Sequence, residues 1–256
     1  MDISTFKAFK TCEAEALAKW KGEWSEEETT ALLVGNYVHS YFESKDSHEA
    51  FIEAHKKEMI SSRGKTKGQL KSDYKVANSM ISTLENDQAF QNIYMPGDKE
   101  VIVTGKIAGH DWKGKIDSLN LKEKTFYDLK TVDDIHKSHY DRDEGSRVNF
   151  VKDRGYYYQI AMYRELIRQT FGVDCTPFIF AVSKQKPYPD HEALDFNSIK
   201  DQDWLEEAMQ DILTRQDHYF DLIEGKVKPK RCGKCAYCRA TKQISGWVHA
   251  AEIEVW

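Results

Sequence analysis

The sequence predicts a mixed α/β architecture, a central sheet flanked by helices, on three observations. Apolar residues recur with helical spacing through residues 1–90. From Glu100 to Thr131 the pattern changes to short alternating runs broken by glycine and by Asn-Leu-Lys-Glu-Lys, which is strand grammar. A helix, an apolar strand and a long amphipathic helix follow, an order that suits one α/β domain over 1–256.

Phe6 and Phe9 precede Ala14, Leu17, Ala18 and Trp20, and a second run holds Leu32, Leu33, Tyr37, Val38, Tyr41 and Phe42. These read as two helices joined by the acidic turn at 25–28. Residues 61–75 are polar, with two glycines, one Arg and four Lys, and read as an exposed loop, either solvated surface or a DNA-backbone contact. Helical signal returns at 76–84. Three strands are expected near 100–107, 111–119 and 124–131, then a polar stretch at 132–153. A helix follows over 156–172 with Gly172 as its stop, then a buried strand at 177–184 and a helix at 200–224. The single domain thus has three parts: N-terminal helices (1–90), a core (95–185), and a C-terminal helix with a Cys-rich tail (200–256).

Composition narrows the function. The chain has 256 residues and a net charge of -5, and its 12 Phe, 13 Tyr and 6 Trp can bury a core, which excludes intrinsic disorder. No apolar run approaches the ~20 residues of a membrane span, and the first residues show no apolar signal core, so a cytoplasmic protein is expected. Five cysteines are too few for a disulfide framework. The acidic balance argues against a non-specific nucleic-acid coat, yet a basic channel can sit on an acidic body.

The chemistry concentrates in the meander. Asp117 ends the second strand, and Asp128 and Lys130 stand two apart on the third, so all three can converge. Two carboxylates and an ammonium suit a hard divalent ion acting on a phosphate, with the Lys steadying the charge that develops. A surface Asp-Lys pair gives the same D-x-K by chance, and only the surrounding residues separate the two readings.

Those residues form a known order. Asp117, ten intervening residues, then Asp128-Leu129-Lys130 resembles the PD-(D/E)xK nuclease signature, with Lys113-Gly-Lys-Ile-Asp117 standing where that superfamily has its G-x-x-D strand end. Gly35-Asn-Tyr-Val-His39 resembles the G-x-x-x-H element of the RecB-like branch, Glu100 its first-strand Glu, and Gln159-Ile-Ala-Met-Tyr163 its Q-x-x-x-Y motif. Within the branch the chain is most similar to phage-type RecE exonucleases. The resemblance implies a restriction-endonuclease-like fold and Mg²⁺- or Mn²⁺-dependent, two-ion, 5′→3′ digestion of one strand of linear double-stranded DNA, leaving 3′ tails for recombination. It also implies a homo-oligomeric ring and a RecT-type single-strand annealing protein as partner. Other members of the superfamily are endonucleases or have other polarity, and a nuclease fold without catalysis serves as a binding module.

Residue by residue, the resemblance makes Asp117, Asp128, the Leu129 backbone carbonyl and His39 metal ligands, with Glu100 at a second metal or outside the first coordination sphere. Lys130 would orient the water and steady the phosphorane, Gln159 would bond the water, Lys130 or the DNA backbone, and Tyr163 would face the same cleft or pack in the core. A 5′-directed enzyme also needs cations for the terminal phosphate. Two groups offer them: Arg63, Lys65 and Lys67 in the basic loop, and Arg147, Lys152 and Arg154 before the Q-x-x-x-Y helix.

Cys232-Gly-Lys-Cys235-Ala-Tyr-Cys238 is spaced as soft-metal ligands are. AddB-type and CRISPR-associated RecB-like nucleases clamp an iron-sulfur cluster with one Cys before the core and three after it, which makes Cys12 the fourth ligand. The last interval is shorter in this chain than in those proteins, leaving an iron-sulfur cluster, Zn²⁺ or reduced thiols open. Cys175 reads as a core residue. The C-terminal segment ending in Trp256 is expected to dock on a neighbour or on its own body.

Overall fold

The alternation from Glu100 to Thr131 becomes an antiparallel meander in the computed structural model, which describes residues 1–141, 145–244 and 246–253. Its strands are β1 (Asp98–Ile107), β2 (His110–Asn120) and β3 (Thr125–Val132). A separate two-stranded sheet pairs β4 (His139–Asp141) with β5 (Ser146–Val148), within the polar stretch at 132–153. β6 (Thr176–Ser183) joins β3 in parallel and β7 (His191–Asp195) joins β6 antiparallel, so the main sheet runs β1-β2-β3-β6-β7. The sequence reading has no strand at β7 because most of its side chains are exposed, leaving no apolar face to read.

Seven helices precede the sheet: α1 (Ile3–Thr11), α2 (Glu13–Trp20), α3 (Thr30–Glu43), α4 (Lys45–Ala54), α5 (Lys56–Met59), α6 (Ser72–Asn86) and α7 (Gln88–Ile93). α8 (Phe150–Asp153) and α9 (Tyr156–Phe171) fall between β5 and β6, and α10 (Ile199–Ile223) and α11 (Ala236–Ala240) follow. The first expected helix is in fact two, broken at Cys12, whose backbone is extended at φ -160°. The second is followed by a further helix, because Ser44 ends α3 and its hydroxyl accepts from Ser47 N at 3.1 Å to start α4. The expected loop at 61–75 is shorter than read: an Ile60–Leu70 bridge closes it and α6 begins at Ser72.

The chain divides into two compact units, one of residues 1–3 and 27–214, the other of residues 4–26 and 215–256. Trp256 and the last residues of the C-terminal segment lie outside the described residues. Among the described residues no helix is long and apolar enough to cross a membrane.

In the larger unit, α3, α6 and α7 bury Leu33, Val38, Met80 and Phe90 against Leu129 of β3 and Phe180 of β6. Parallel pairing of β3 with β6 needs a crossover, and α9 lies within it. Gly155 and Gly172, both left-handed at φ 63° and 70°, bound α9. Its last turn shields the edge strand β1. Gln169 takes Lys106 N and O at 2.8 and 2.9 Å, and Thr170 takes Thr104 N and O at 3.0 and 2.9 Å, groups that an open edge would offer to another chain.

Three glycines set how closely the helices approach the sheet: Gly105 of β1, against Leu166 and Gln169 of α9, and the two nearest the strand opening. A Cβ on Gly35 of α3 would lie 3.3 Å from Thr131 Oγ1 of β3. One on Gly114 of β2 would lie 2.8 Å from Cε1 of Tyr163 on α9 and 3.2 Å from Val103 Cγ2. Gly114→Ala is therefore expected to destabilise the protein by about 1–3 kcal/mol in urea unfolding, although Ala is the better strand residue. Tyr163→Ala in the same chain should remove most of that increment, and simple additivity of the two costs would show that the ring is not what Gly114 accommodates.

Candidate active site

The β1–β2 ladder pairs every position from Asp98–Leu119 to Ile107–His110 except one, Glu100 opposite Asp117. Glu100 is left-handed at φ 57°, a conformation that costs a non-glycine residue about 1–2 kcal/mol and concentrates at functional sites. On the other side, β2 and β3 pair from Asn120–Thr125 to Ser118–Tyr127 and then part. One step further in that register stands Asp117 opposite Asp128. Glu100, Asp117 and Asp128 are thus level across three strands, at the place where the sheet opens.

Side chains bridge the opening. Asp117 Oδ2 accepts from Leu129 N at 2.8 Å, taking the place of a ladder carbonyl. His39 Nδ1 lies 3.4 Å from the same oxygen, and the His39 ring also hydrogen-bonds the Leu129 carbonyl. Gly35, one helical turn earlier, is the residue that lets α3 bring His39 this close. Asp128 is held on both oxygens: Oδ1 accepts from Gln159 Nε2 at 2.6 Å and Oδ2 pairs with Lys130 Nζ at 2.5 Å. Gln159 completes a ring by accepting from Lys130 Nζ at 3.2 Å.

The structure therefore brings His39, Asp117, Asp128, Leu129, Lys130 and Gln159 into one hydrogen-bonded cluster. Tyr163 is buried beside it, against Gly114 and hydrogen-bonded to Gln159. Glu100 pairs with Lys115. Two further residues join that the sequence reading passed over. Lys115 stands two before Asp117, so the strand period exposes it; Tyr156 stands three before Gln159 on α9 and its ring lies 4.6 Å under Lys130 Nζ.

None of the six basic candidates bonds to this cluster, and Arg154 comes nearest to it. Arg63, Lys65 and Lys67 are exposed around the 3₁₀ turn at Gly64–Thr66. Arg147 on β5 bonds Ser138 Oγ at 3.0 Å, and Lys152 sits 4.1 Å over Trp204 and 3.9 Å from Glu207. Arg154, 3.3 Å from Asp153, lines a cavity of about 290 Å³ together with Tyr156, Thr131, Lys137 and Lys184.

Burial and charge set the protonation states. Burial, then the Asp128 charge, holds the Asp117 carboxyl well above the usual range. Burial would pull Lys130 down, but the Asp128 carboxylate, with Tyr156 and Asp117, outweighs it, so the ammonium is kept. Burial and then the Lys130 charge push His39 down to about 4. Its imidazole is neutral at physiological pH, the form that ligates metals. Two carboxylates, a neutral imidazole and a main-chain carbonyl fit a hard divalent cation, whose charge would oppose the burial and the Asp128 charge that hold Asp117 up.

Four sulfurs form a second cluster, in the smaller unit. Cys12 Sγ lies 3.6 Å from Cys238 Sγ and 3.7 Å from Cys235 Sγ, and Cys232 Sγ lies 3.9 Å from Cys238 Sγ. Cys175, in the larger unit, is buried just before β6.

The model of the PDDEXK-like domain of unknown function (DUF3799) matches residues 2–241. The chain belongs to this PDDEXK-like family. The crystal structure of a "Putative exonuclease" from Eubacterium rectale is similar over 97% of this chain and 90% of its own, at 32% identity and a TM-score of 0.87. SSO0001 aligns over 92% of this chain and 93% of its own at 13% identity, with a TM-score of 0.28 too low to bear on the fold. No curated protein matches the chain. The mixed sheet flanked by helices is thus the PDDEXK-like core, and family and neighbour together support a nuclease.

His39 is expected to titrate near about 4, so side-chain ¹⁵N NMR should find it neutral at pH 6. Because the Lys130 charge holds the value down, Lys130→Met should raise it. A His39 that titrates near its ordinary value of 6.5 in the unmodified protein would contradict this electrostatic account.

Proposed function

We propose that this chain is a divalent-metal-dependent deoxyribonuclease that digests one strand of linear duplex DNA from its 5′ end and leaves 3′ single-stranded tails for strand annealing. The observation that carries the reading is the Asp117, Asp128, Lys130 and Gln159 cluster at the sheet opening, with His39 delivered to Asp117. His39, Asp117, Asp128 and the Leu129 carbonyl would hold Mg²⁺ or Mn²⁺, and Glu100 a second ion. A bound ion supplies Lewis-acid activation of the phosphate and of water. Binding requires Asp128 to exchange its present partners for the cation.

The protein groups then have separate tasks. Lys130 keeps its proton and offers positive charge to the pentacovalent phosphorus as its oxygens gain charge. Gln159 holds the Lys130 ammonium on one side and the Tyr156 ring supports it on the other. Tyr163 and Gly114 set the distance between α9 and the sheet, and so the position of Gln159.

The 5′ polarity rests on the resemblance to RecE exonucleases. The cavity that Arg154 and Lys184 line supports it, because it adjoins Tyr156 and Thr131, the neighbours of Lys130; Asp133 and Asp134 also line it, and Lys137 is paired with Asp133 at 3.6 Å, which leaves Arg154 and Lys184 as the cations for a terminal phosphate. In this reading the enzyme works in the cytoplasm as a homo-oligomeric ring around duplex DNA and passes its tails to a RecT-type annealing protein.

With Mg²⁺ and linear duplex, early release of 5′-labelled mononucleotide and intact closed circles are the expected result. Lys130→Ala should lower kcat on the order of 100-fold or more. Arg154→Ala and Lys184→Ala should each reduce kcat/KM about tenfold for 5′-phosphorylated ends and far less for 5′-hydroxyl ends. Cutting of the circle would make the enzyme an endonuclease, early release of 3′ label would reverse the polarity, and no magnesium-dependent cleavage of any DNA would leave a binding fold.

A further inference from the structure

The resemblance that makes Cys12 the fourth ligand also implies an iron-sulfur cluster, and the sulfur geometry tests that. A cuboidal four-iron cluster carries each thiolate on a different iron, so the four sulfurs stand roughly 6 Å apart. A single tetrahedral ion with metal–sulfur bonds of about 2.3 Å places them about 3.8 Å apart. Cys12, Cys232, Cys235 and Cys238 have all four Sγ atoms within 4.8 Å of one another, with separations of 3.6 Å for Cys12–Cys238, 3.7 Å for Cys12–Cys235 and 3.9 Å for Cys232–Cys238. The cage is too small for the cluster and the size of one ion.

The surrounding backbone agrees with bound thiolates. Lys234 N and Cys235 N both point at Cys232 Sγ, at 3.4 and 3.3 Å, and Cys238 N points at Cys235 Sγ at 3.4 Å. Gly233, left-handed at φ 75°, makes the tight turn that aims the first two. Hydrogen bonds of this kind orient sulfur ligands and stabilise their charge, and four thiolates this close require a cation between them. Cys238 N also caps α11 through Cys235 Sγ, but close contact of uncharged thiols gives no reason for the other two amides to converge on Cys232 Sγ.

We propose that Cys12, Cys232, Cys235 and Cys238 bind one tetrahedral zinc ion and no iron-sulfur cluster. Zinc is chosen over a single ferrous ion because a given donor set binds Zn²⁺ more tightly than Fe²⁺. Four protein sulfurs fill the coordination sphere, so the site is closed and structural. It joins Cys12, between α1 and α2, to the tail segment 226 residues later, within a unit built from two remote stretches of chain. That unit has a small aromatic core, Phe6 and Phe9 against Tyr219, and small cores of this kind commonly need a staple.

The test uses the full chain purified anaerobically from cells supplied with both zinc and iron. Elemental analysis should give one zinc per chain, iron well below stoichiometric, no acid-labile sulfide and no visible absorption. Zinc-edge X-ray absorption should give four sulfurs at about 2.3 Å, and cobalt exchange should give the visible bands of a tetrahedral four-thiolate site. Cys238→Ser should lose the zinc and become sensitive to protease in the tail, while Cys175→Ser keeps it. The absorption and cobalt spectra are taken on the unmutated protein, so misfolding of a variant does not decide the outcome. Brown protein with about four irons and matching sulfide would overturn the proposal, as would protein that takes up neither metal and whose four cysteines alkylate freely. None of these readouts depends on nuclease activity.

Discussion

The hydrogen bond from Leu129 N to the Asp117 carboxylate is the contact on which the site depends. Where β2 leaves β3, Leu129 N–H has no ladder carbonyl to meet, and a buried amide left unpaired costs about 1–3 kcal/mol. Asp117 satisfies it by reaching across the gap. The same bond fixes that carboxylate beside Asp128 and His39 and spends one of its lone pairs on the backbone. The sheet can open, and the opening can hold charged groups, because one side chain closes the ladder.

Everything else at the opening is positioned by close approach. Gly35 lets α3 lie against Thr131 and deliver His39; Gly114 receives the Tyr163 ring and lets α9 deliver Gln159. In both cases the functional side chain sits on a helix, a more rigid support than a loop, and the missing Cβ sets the distance. The resulting network centres on the buried Asp128, and each member reinforces the next: Gln159 and Lys130 hold Asp128, and Asp128 keeps Lys130 charged against its own burial. His39 remains neutral in the same surroundings because no carboxylate outweighs its burial and the Lys130 charge. One pocket thereby keeps an ammonium and a neutral imidazole side by side.

Much of this was legible in the chain, for specific reasons. The three meander strands were readable because glycines and a polar turn interrupt a clear alternation, and α9 because Gly172 stops it. β7 was not, since its exposed side chains carry no period, and neither was the break at Cys12, where an extended residue interrupts an otherwise helical pattern. Asp117, Asp128, Lys130, His39 and Gln159 could be picked out by motif order. The chain itself could not distinguish among six basic residues, because an exposed lysine in a loop looks the same whether or not it adjoins a cleft. Among the six, Arg154 lines a cavity together with Tyr156 and Lys184, a placement that no spacing along the chain contains.

The sequence by itself determined which residue types recur at which spacing: the glycine one turn before His39, the paired strand carboxylates, the three close cysteines. These are local properties, set by periods of two and about 3.6 residues, and they survive without knowledge of the fold. Tertiary structure decided what is separated in the chain but adjacent in space. It placed Glu100 in a strained conformation opposite Asp117, set Tyr156 beneath Lys130, and drew the sulfur of Cys12 to within 3.6 Å of Cys238. Distances of that kind choose between one metal ion and a cluster, and no pattern of spacing along the chain contains them.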